Sequence, residues 1–254
     1  MKKNAAELLR YIHSEQEGGL FRPVAFEQRI GMDGRIPPLK INASAGKGVN
    51  VRGIVDRIDI YKGRDKDYLR IVDYKTGSQK FNLDDVYNGL STQLLLYMAA
   101  LKNAGFGREG RDITPGAVMY QSADRQIKFD NDDEALYTAV GMALADPEIS
   151  RAFDTTNKGR FGLLSLDKNN KVKKARGSEA VSDKKFDIIL RWAQQKVADM
   201  ADGIYSGSFD SLPLERRSGR LPCEWCAFSS VCANKTRKKE MEKNNFSDME
   251  KEAE

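Results

Sequence analysis

Histidine, cysteine and long apolar runs are scarce in this chain of 254 residues. Its single histidine, His13, is most simply a surface residue, and one imidazole leaves a zinc site short of nitrogen ligands. No stretch approaches the roughly 20 apolar residues that a membrane span requires. The opening residues also lack the apolar core of a signal peptide, so a cytoplasmic location is expected.

Positively charged residues only slightly outnumber negatively charged ones. The formal net charge of +5 permits a nucleic-acid partner without requiring one. Apolar residues make up 40% of the chain and charged residues 31%, a balance typical of a folded globular protein. We expect one domain over residues 1–233, with its active-site core at about 20–125 and a C-terminal helical and cysteine segment at about 180–233. A polar tail over 234–254 is expected to be a solvated helix or disordered.

Apolar periodicity mixes helices with strands, which favours an α/β or α+β class built around one sheet. Between Leu83 and Leu101 the apolar residues fall on one helical stripe. The other elements predicted from the pattern are a helix over 4–14, a strand over 113–121, a helix over 130–153, a hairpin or loop over 154–178 and a helix over 183–204.

The clearest local pattern is a pair of β-rich runs around the polar turn KGRDKD. In a hairpin centred between Arg64 and Asp65, the numbers of facing residues sum to a constant. Asp56 is then opposite Asp73, and Lys75, two residues further on, shares their face. The sequence therefore predicts that two carboxylates and one ammonium group lie together.

The surroundings of these three groups call for a compensating charge. Two facing carboxylates repel each other, and burying them costs free energy. A hard divalent cation with oxygen ligands, Mg²⁺ or Mn²⁺, offsets both effects. The plain alternative is a charged cluster on a surface hairpin. The aliphatic members of the same face are Ile54, Ile58, Ile60, Leu69 and Ile71.

The opposite face of the hairpin carries charges of a different kind. In the same register Asp59 faces Arg70, which we interpret as a surface ion pair. A metal ion held by Asp56 and Asp73 would polarise a phosphate and lower the pKa of a bound water. Lys75 would orient that water or neutralise charge that develops on the phosphate. These actions suit phosphodiester hydrolysis.

The hairpin resembles the core of the PD-(D/E)XK nucleases. The match is carried by the run Gly53-Ile54-Val55-Asp56 and by Asp73-Tyr74-Lys75, with Val55 where the family name has proline. The resemblance implies a restriction-endonuclease-like fold, in which helices flank a mixed central β-sheet. It also implies a Mg²⁺-dependent deoxyribonuclease with Asp56, Asp73 and Lys75 as catalytic residues. The metal would be held by Asp56, Asp73 and the backbone carbonyl of Tyr74.

The helical region that follows resembles the RecB-type branch of the same family. Gln93 and Tyr97 share a helix face by their i, i+4 spacing and match its Q-x-x-x-Y motif. In that branch the pair lies near the active site and is thought to help bind DNA. Tyr97 also lies on the apolar stripe, so a purely structural role in the core is the alternative.

The three cysteines, Cys223, Cys226 and Cys232, lie in one short segment near the C-terminus. A tight odd cluster favours a metal site over a disulfide framework. The segment is similar to the C-terminal part of the iron–sulfur staple in AddB-type helicase–nuclease subunits, where an upstream cysteine completes a 4Fe–4S cluster. No cysteine precedes Cys223 in this sequence, so the cluster is expected to be absent or incomplete here. A zinc site is the weaker alternative.

The likeness extends over most of residues 15–235 and implies a C-terminal piece of a longer subunit, because the family's first core helix is expected to precede the chain. That subunit would act with a partner subunit in a helicase–nuclease complex, whose exonuclease processes double-strand DNA ends for recombination repair. Glu27 is a better candidate than His13 for a supporting acid or base. The alternative function is a non-catalytic module that binds DNA or a subunit and keeps a remnant metal site.

Overall fold

The computed structural model describes residues 2–32, 34–77, 79–107, 110–124, 137–208, 210–232 and 237–253. No helix in these ranges is both long and apolar enough to cross a membrane. The helices are α1 (Lys2–Gly18), α2 (Leu83–Tyr87), α3 (Gln93–Asn103), α4 (Pro147–Phe153), α5 (Asp183–Tyr205) and α6 (Phe246–Glu252). The strands are β1 (Arg22–Ile30), β2 (Leu39–Asn42), β3 (Gly48–Val51), β4 (Gly53–Lys62), β5 (Asp67–Lys75), β6 (Ile113–Ser122), β7 (Ala139–Leu144), β8 (Leu164–Leu166), β9 (Val172–Lys174), β10 (Glu179–Val181), β11 (Leu214–Glu215) and β12 (Lys239–Glu240).

A six-stranded sheet forms the centre of the part of the chain that the structure describes, in the order β1-β4-β5-β6-β7-β10. β5 runs parallel to β6 and β10 runs parallel to β7, while the other neighbours are antiparallel. The parallel pair β5–β6 needs a crossover connection, which contains α2 and α3. The sheet is mixed and flanked by helices, which confirms the predicted fold class.

Each face of the central sheet carries its own apolar core, because successive side chains of a strand point to opposite faces. Ile58, Leu69 and Ile71 pack in one core with apolar side chains of α3 and α5. Val72 packs in the other core with Phe153 of α4. Of the predicted aliphatic face of the hairpin, Ile58, Leu69 and Ile71 therefore lie in the core that α3 and α5 cover. Ile60 is partly buried against that core, and Ile54 is exposed.

Several elements predicted from periodicity are confirmed. The helix over 4–14 lies within α1, the strand over 113–121 lies within β6, and the hairpin over 154–178 contains the antiparallel pair β8–β9. The predicted long helix is α5, which begins at Asp183 because the side-chain oxygen of Ser182 accepts a hydrogen bond from the backbone N–H of Lys185 at 3.0 Å.

The predicted helix over 130–153 is confirmed for 147–153 and is wrong for 139–144. Residues 139–144 form strand β7, and only 147–153 are helical, while residues 130–136 lie outside the described residues. A short apolar run cannot be assigned to helix or strand by periodicity alone. The helical stripe from Leu83 to Leu101 is also divided into α2 and α3, because Gly89 and Ser91 have left-handed backbones, with φ of 83° and 52°.

The C-terminal tail is attached to the body of the protein. Phe246 of α6 is fully buried, with its ring edge-on to the rings of Tyr87 and Trp192. The side-chain amide and backbone N–H of Asn244 donate to Asp84 at 2.6 and 2.8 Å. The predicted tail was a solvated helix or disordered. The helical alternative is confirmed for α6, which is mostly exposed, but the burial of Phe246 departs from it. Residues 234–236 and 254 of the predicted tail lie outside the described residues.

Candidate active site

The β4–β5 hairpin has the predicted register. Asp59 pairs with Arg70, and the paired register ends at Arg57 and Val72. Asp56 and Asp73 are the next residues in that register, beyond the end of the ladder. Both carboxylates therefore project from the same face of the hairpin, as expected for a common site.

Asp73 is a buried carboxylate with a close cationic partner. Its side chain is 4% exposed, and its Oδ2 atom lies 2.6 Å from Nζ of Lys75. Burial raises the pKa of Asp73, and the nearby carboxylate of Asp56 raises it further, whereas the ammonium group of Lys75 lowers it. The net result is a raised pKa, as expected for a carboxylate that lacks part of its compensating charge.

Asp56 is half-buried and is fixed by the neighbouring strand. Its Oδ2 atom accepts a hydrogen bond from the backbone N–H of Tyr74 at 2.8 Å. Tyr74 stands between Asp73 and Lys75 in β5, so this bond joins the first acid directly to the segment that carries the other two groups. The structure thus brings together the three residues that the sequence predicted.

Tyr120 is a further neighbour of the site that the sequence did not single out. It pairs with Asp73 across the parallel strands β5 and β6, and its ring centroid lies 6.0 Å from Nζ of Lys75. Burial and the charge of Asp73 raise the pKa of Tyr120 to about 12. The phenol is therefore neutral at physiological pH and forms an uncharged wall beside the acids.

The donor set of this face suits a hard divalent cation. Asp56 and Asp73 carry two negative charges against the single positive charge of Lys75, which leaves one negative charge uncompensated. Within the described ranges no group of three or more His, Cys, Asp or Glu side chains is arranged to hold a metal ion. Mg²⁺ is usually held by only one or two carboxylates, together with waters and substrate phosphates. Two carboxylates and the backbone carbonyl of Tyr74 fit that requirement.

Gln93 and Tyr97 connect helix α3 to the strand that carries Asp56. The side-chain amide of exposed Gln93 donates a hydrogen bond to the hydroxyl of Tyr97 at 3.2 Å, and Tyr97 itself is 7% exposed. A Cβ atom at Gly53 would lie 2.1 Å from the Tyr97 hydroxyl oxygen, so only glycine permits this close approach. Tyr97 therefore packs in the core and against the first residue of β4, and Gln93 remains accessible.

The opposite face of the hairpin corrects one prediction. Asp59 and Arg70 do form an ion pair, with Nη2 of Arg70 2.6 Å from Oδ2 of Asp59, but they are 0% and 2% exposed. Arg57, at 1% exposure, also pairs with Asp59, and both arginines pair with Glu15 of α1 at 3.0 and 2.9 Å. The predicted surface pair is part of a buried four-residue network, because α1 and α4 cover this face.

The two early candidates for a supporting residue do not join the acids. His13 is exposed and pairs with Glu17 one helical turn away. Glu27 stands opposite Asp56 in the β1–β4 register, and its backbone is left-handed, with φ of 48°, which is uncommon for a residue other than glycine. Its side chain is exposed and forms no group of three acids with Asp56 and Asp73 among the residues described.

The three cysteines lie together in the segment that follows α5. Cys223, Cys226 and Cys232 are free thiols that line one cavity of about 550 Å³. The backbone N–H of Cys226 donates to the carbonyl of Cys223 in a short 3-10 turn. Three thiols without a fourth cysteine do not fit a complete 4Fe–4S site, and within the described residues they are not arranged as a metal site.

Comparisons with known proteins identify the family. The model of the PD-(D/E)XK nuclease superfamily matches residues 1–233. The chain is 29% identical over 250 residues to an ATP-dependent helicase/deoxyribonuclease subunit of Acetivibrio thermocellus, an alignment that covers 94% of this chain and 22% of that protein. It is 31% identical over 229 residues to the protein of the same name from Thermoanaerobacter sp., covering 85% of this chain and 20% of the relative. The corresponding figures for Clostridium botulinum are 30% over 226 residues, 84% and 20%.

The chain spans about a fifth of the length of the curated relatives it matches. The family match includes the β4–β5 hairpin and α3, so the resemblance to the PD-(D/E)XK nucleases is confirmed. This chain belongs to the PD-(D/E)XK nuclease superfamily.

Proposed function

We propose that this chain is a Mg²⁺- or Mn²⁺-dependent deoxyribonuclease domain with exonuclease activity. The observation that supports this proposal most directly is the position of Asp56, Asp73 and Lys75 on one face of the hairpin, with one negative charge left uncompensated. Membership of a nuclease superfamily gives the same reaction class. A bound cation and a positioned donor both promote hydrolysis of a phosphodiester bond, and this face would hold the first and provide the second.

Each residue of the site has a distinct proposed role. Asp56 and Asp73, with the backbone carbonyl of Tyr74, would hold the metal ion. When bound, that ion supplies a polarised phosphate oxygen and a water of lowered pKa. The Nζ atom of Lys75 lies 2.6 Å from Oδ2 of Asp73, so its ammonium group would donate to a phosphate oxygen or orient the attacking water. Exposed Gln93 contacts the DNA backbone.

The metal proposal is tested by titrating Mn²⁺ into the wild type and into Asp73→Asn. The substitution keeps the size of the side chain and removes one ligand charge, so Mn²⁺ affinity is expected to fall steeply. Asp65→Asn, in the exposed hairpin turn, is the matched control and should bind Mn²⁺ as the wild type does. Equal affinity in wild type and Asp73→Asn would reject the site.

Cleavage is measured on end-labelled linear DNA and on a covalently closed circle of the same sequence. An exonuclease degrades the linear substrate and leaves the circle intact. Binding of DNA without cleavage by the wild type, in Mg²⁺ and in Mn²⁺, would instead favour a non-catalytic binding module.

The longer relatives suggest the setting of this activity. They are named as subunits of a helicase/deoxyribonuclease, and this chain corresponds to about a fifth of them. We propose that the domain works beside a partner subunit at DNA ends in the cytoplasm, during recombination repair, and that the parent protein carries the complete 4Fe–4S cluster. In the purified parent complex, Asp73→Asn should stop degradation of linear DNA while ATP-dependent unwinding continues.

A further inference from the structure

The two metal ligands of the proposed site belong to two different pairs of strands. Asp56 lies in β4, whose first residues pair with β1 through Gly53 and Ile30. Asp73 lies in β5, which is paired with β6 as far as Lys75. Between β4 and β5 the register ends at Arg57 and Val72, one pair before the acids. The separation of the two carboxylates is therefore not set by backbone pairing between their own strands.

Beyond the last paired residues of β4 and β5, Tyr74 joins the two strands with two hydrogen bonds, one on each face of the sheet. On the side of the acids, its backbone N–H donates to Oδ2 of Asp56 at 2.8 Å. On the other side, its hydroxyl accepts a hydrogen bond from Nη1 of Arg57 at 2.6 Å. Arg57 directly follows Asp56 in the chain, so both bonds tie the end of β5 to the dipeptide that carries the first ligand.

Arg57 is itself held in place by the buried network of Glu15, Asp59 and Arg70. Its Nε and Nη2 atoms donate to Asp59 at 3.1 and 3.0 Å, and Nη2 also donates to Glu15 at 3.0 Å. Two guanidinium groups face two carboxylates, so the network is neutral as a whole. A guanidinium bound on three sides leaves the Tyr74 hydroxyl little freedom to move.

A contribution to stability alone does not account for this network. Burying ion pairs carries a desolvation cost that often cancels the attraction, and apolar residues of similar size commonly stabilise a protein as well or better. In some proteins, a buried polar network specifies one arrangement of the elements that it joins. Here the elements joined are α1, β4 and β5, at the point where the backbone ladder stops.

We propose that the hydroxyl of Tyr74, anchored on Arg57, is a positioning group that sets the separation of Asp56 and Asp73 for the metal ion. This inference rests on the proposed function of the acids as metal ligands. Tyr74 acts through Asp56 and through its own place in β5, and its phenol lies on the face opposite the acids. Groups that hold metal ligands in place in this way typically change metal affinity or activity by about 10–100-fold when they are removed.

The test compares Tyr74→Phe with Tyr61→Phe. Tyr61 lies on the same strand pair and the same face, and its hydroxyl donates to Glu148 at 3.1 Å, but it pairs with Tyr68 at the far end of the hairpin. Both substitutions remove one hydroxyl and one hydrogen bond to a charged group, and Phe at position 74 keeps the backbone N–H and carbonyl. The two variants therefore differ in their distance from the acids.

Mn²⁺ affinity of the purified chain is the first measurement, because it needs no DNA. We expect the affinity of Tyr74→Phe to fall on the order of tenfold and that of Tyr61→Phe to match the wild type. In cleavage assays kcat should fall for Tyr74→Phe, while KM for DNA stays constant at saturating metal. Unchanged Mn²⁺ affinity in Tyr74→Phe, or an equal loss in both variants, would overturn the inference.

Mn²⁺ binding and DNA cleavage by the wild type distinguish a failure of this inference from a failure of the proposed function on which it rests. If the wild type binds no Mn²⁺, the proposed metal site is rejected, and the positioning role is rejected with it. If the wild type binds Mn²⁺ and cleaves DNA, and Tyr74→Phe does both equally well, the nuclease assignment stands and the positioning role alone fails. Thermal unfolding of the three proteins shows whether either substitution has loosened the fold.

Discussion

Both faces of the β4–β5 hairpin carry acidic and basic side chains, but the charges cancel on only one of them. On one face two carboxylates meet one ammonium group, and the pKa of the buried acid is raised. On the other face two carboxylates meet two guanidinium groups, and the pKa of the buried Glu15 is lowered. The charged groups on the first face are Asp56, Asp73 and Lys75. Those on the second face are Arg57, Asp59 and Arg70, which Glu15 of α1 joins.

On the proposed function, this difference in net charge separates a ligand site from a structural network. Burial affects the acids on both faces, so burial alone does not mark function. What distinguishes the first face is that its own side chains do not neutralise it, which leaves room for a cation. The second face is complete without a ligand. Substitutions on the first face should therefore change catalysis, and those on the second should change stability.

The largest effect is expected for Lys75→Ala. Loss of one positioned donor typically costs on the order of a hundredfold or more in kcat, so nuclease activity should almost disappear. The free energy of unfolding should fall less than when a fully buried pair is broken, since Lys75 is about one-third exposed. Cleavage rates and urea unfolding are measured on the same preparation. Lys168→Ala, in the exposed turn between β8 and β9, is the control, and full activity of Lys75→Ala would remove this residue from the site.

Asp59→Asn should produce the largest loss of stability. It leaves two buried guanidinium groups facing one carboxylate, and breaking a buried pair in this way typically costs about 3–5 kcal/mol. Urea unfolding measures the change in the free energy of unfolding. A loss below about 1 kcal/mol, the usual value for an exposed pair, would mean that the network is solvated and that the two faces differ less than proposed.

The pH dependence of stability should report on Glu15. Burial raises its pKa, but Arg70 and Arg57 outweigh that effect and lower the pKa below its usual value of 4.5. The folded state therefore favours the ionised form, so this contribution to stability is full above pH 4.5 and is lost as the pH falls through the folded pKa. Glu15→Gln cannot titrate, so its unfolding free energy should fall less steeply at acid pH. If the unfolding free energies of the wild type and of Glu15→Gln fall equally steeply at acid pH, the lowered pKa of Glu15 is contradicted.

The smallest effect is expected at the exposed pair Lys102–Asp187, which gives a reference for the buried network. These side chains are 39% and 40% exposed, so Lys102→Ala should change the free energy of unfolding by about 0–1 kcal/mol. The difference should shrink further at high salt, which screens exposed charges. A change as large as that of Asp59→Asn would show that burial does not separate the two kinds of pair.

Local pattern was enough to predict the hairpin and the residues on each of its faces. A turn of known length sets the register, and alternation sets the face, so the positions of Asp56, Asp73 and Lys75 follow from the sequence. The helical period of α5 and its Ser182 cap are equally local signals. What alternation cannot give is how much of each face is covered.

The failures all depend on contacts between segments distant in the sequence. Asp59 and Arg70 are buried because α1 and α4 fold over them, and neither helix is adjacent to the hairpin in sequence. Residues 139–144 are a strand because β6 and β10 are available as partners on either side. For Tyr74 the sequence predicted a role of the backbone carbonyl alone. The contact of its hydroxyl depends on the side chain of Arg57 in the other strand, which local pattern does not reveal.

The position of Phe246 bears on where this protein can safely be shortened. The match to the family model ends at residue 233, and a fragment designed from that match alone would end there too. Such a fragment would lose the ring that covers Tyr87 and Trp192, which stack on each other with centroids 4.5 Å apart. Their newly uncovered aromatic surface would favour self-association, so the shortened protein should be less soluble even with every catalytic candidate in place.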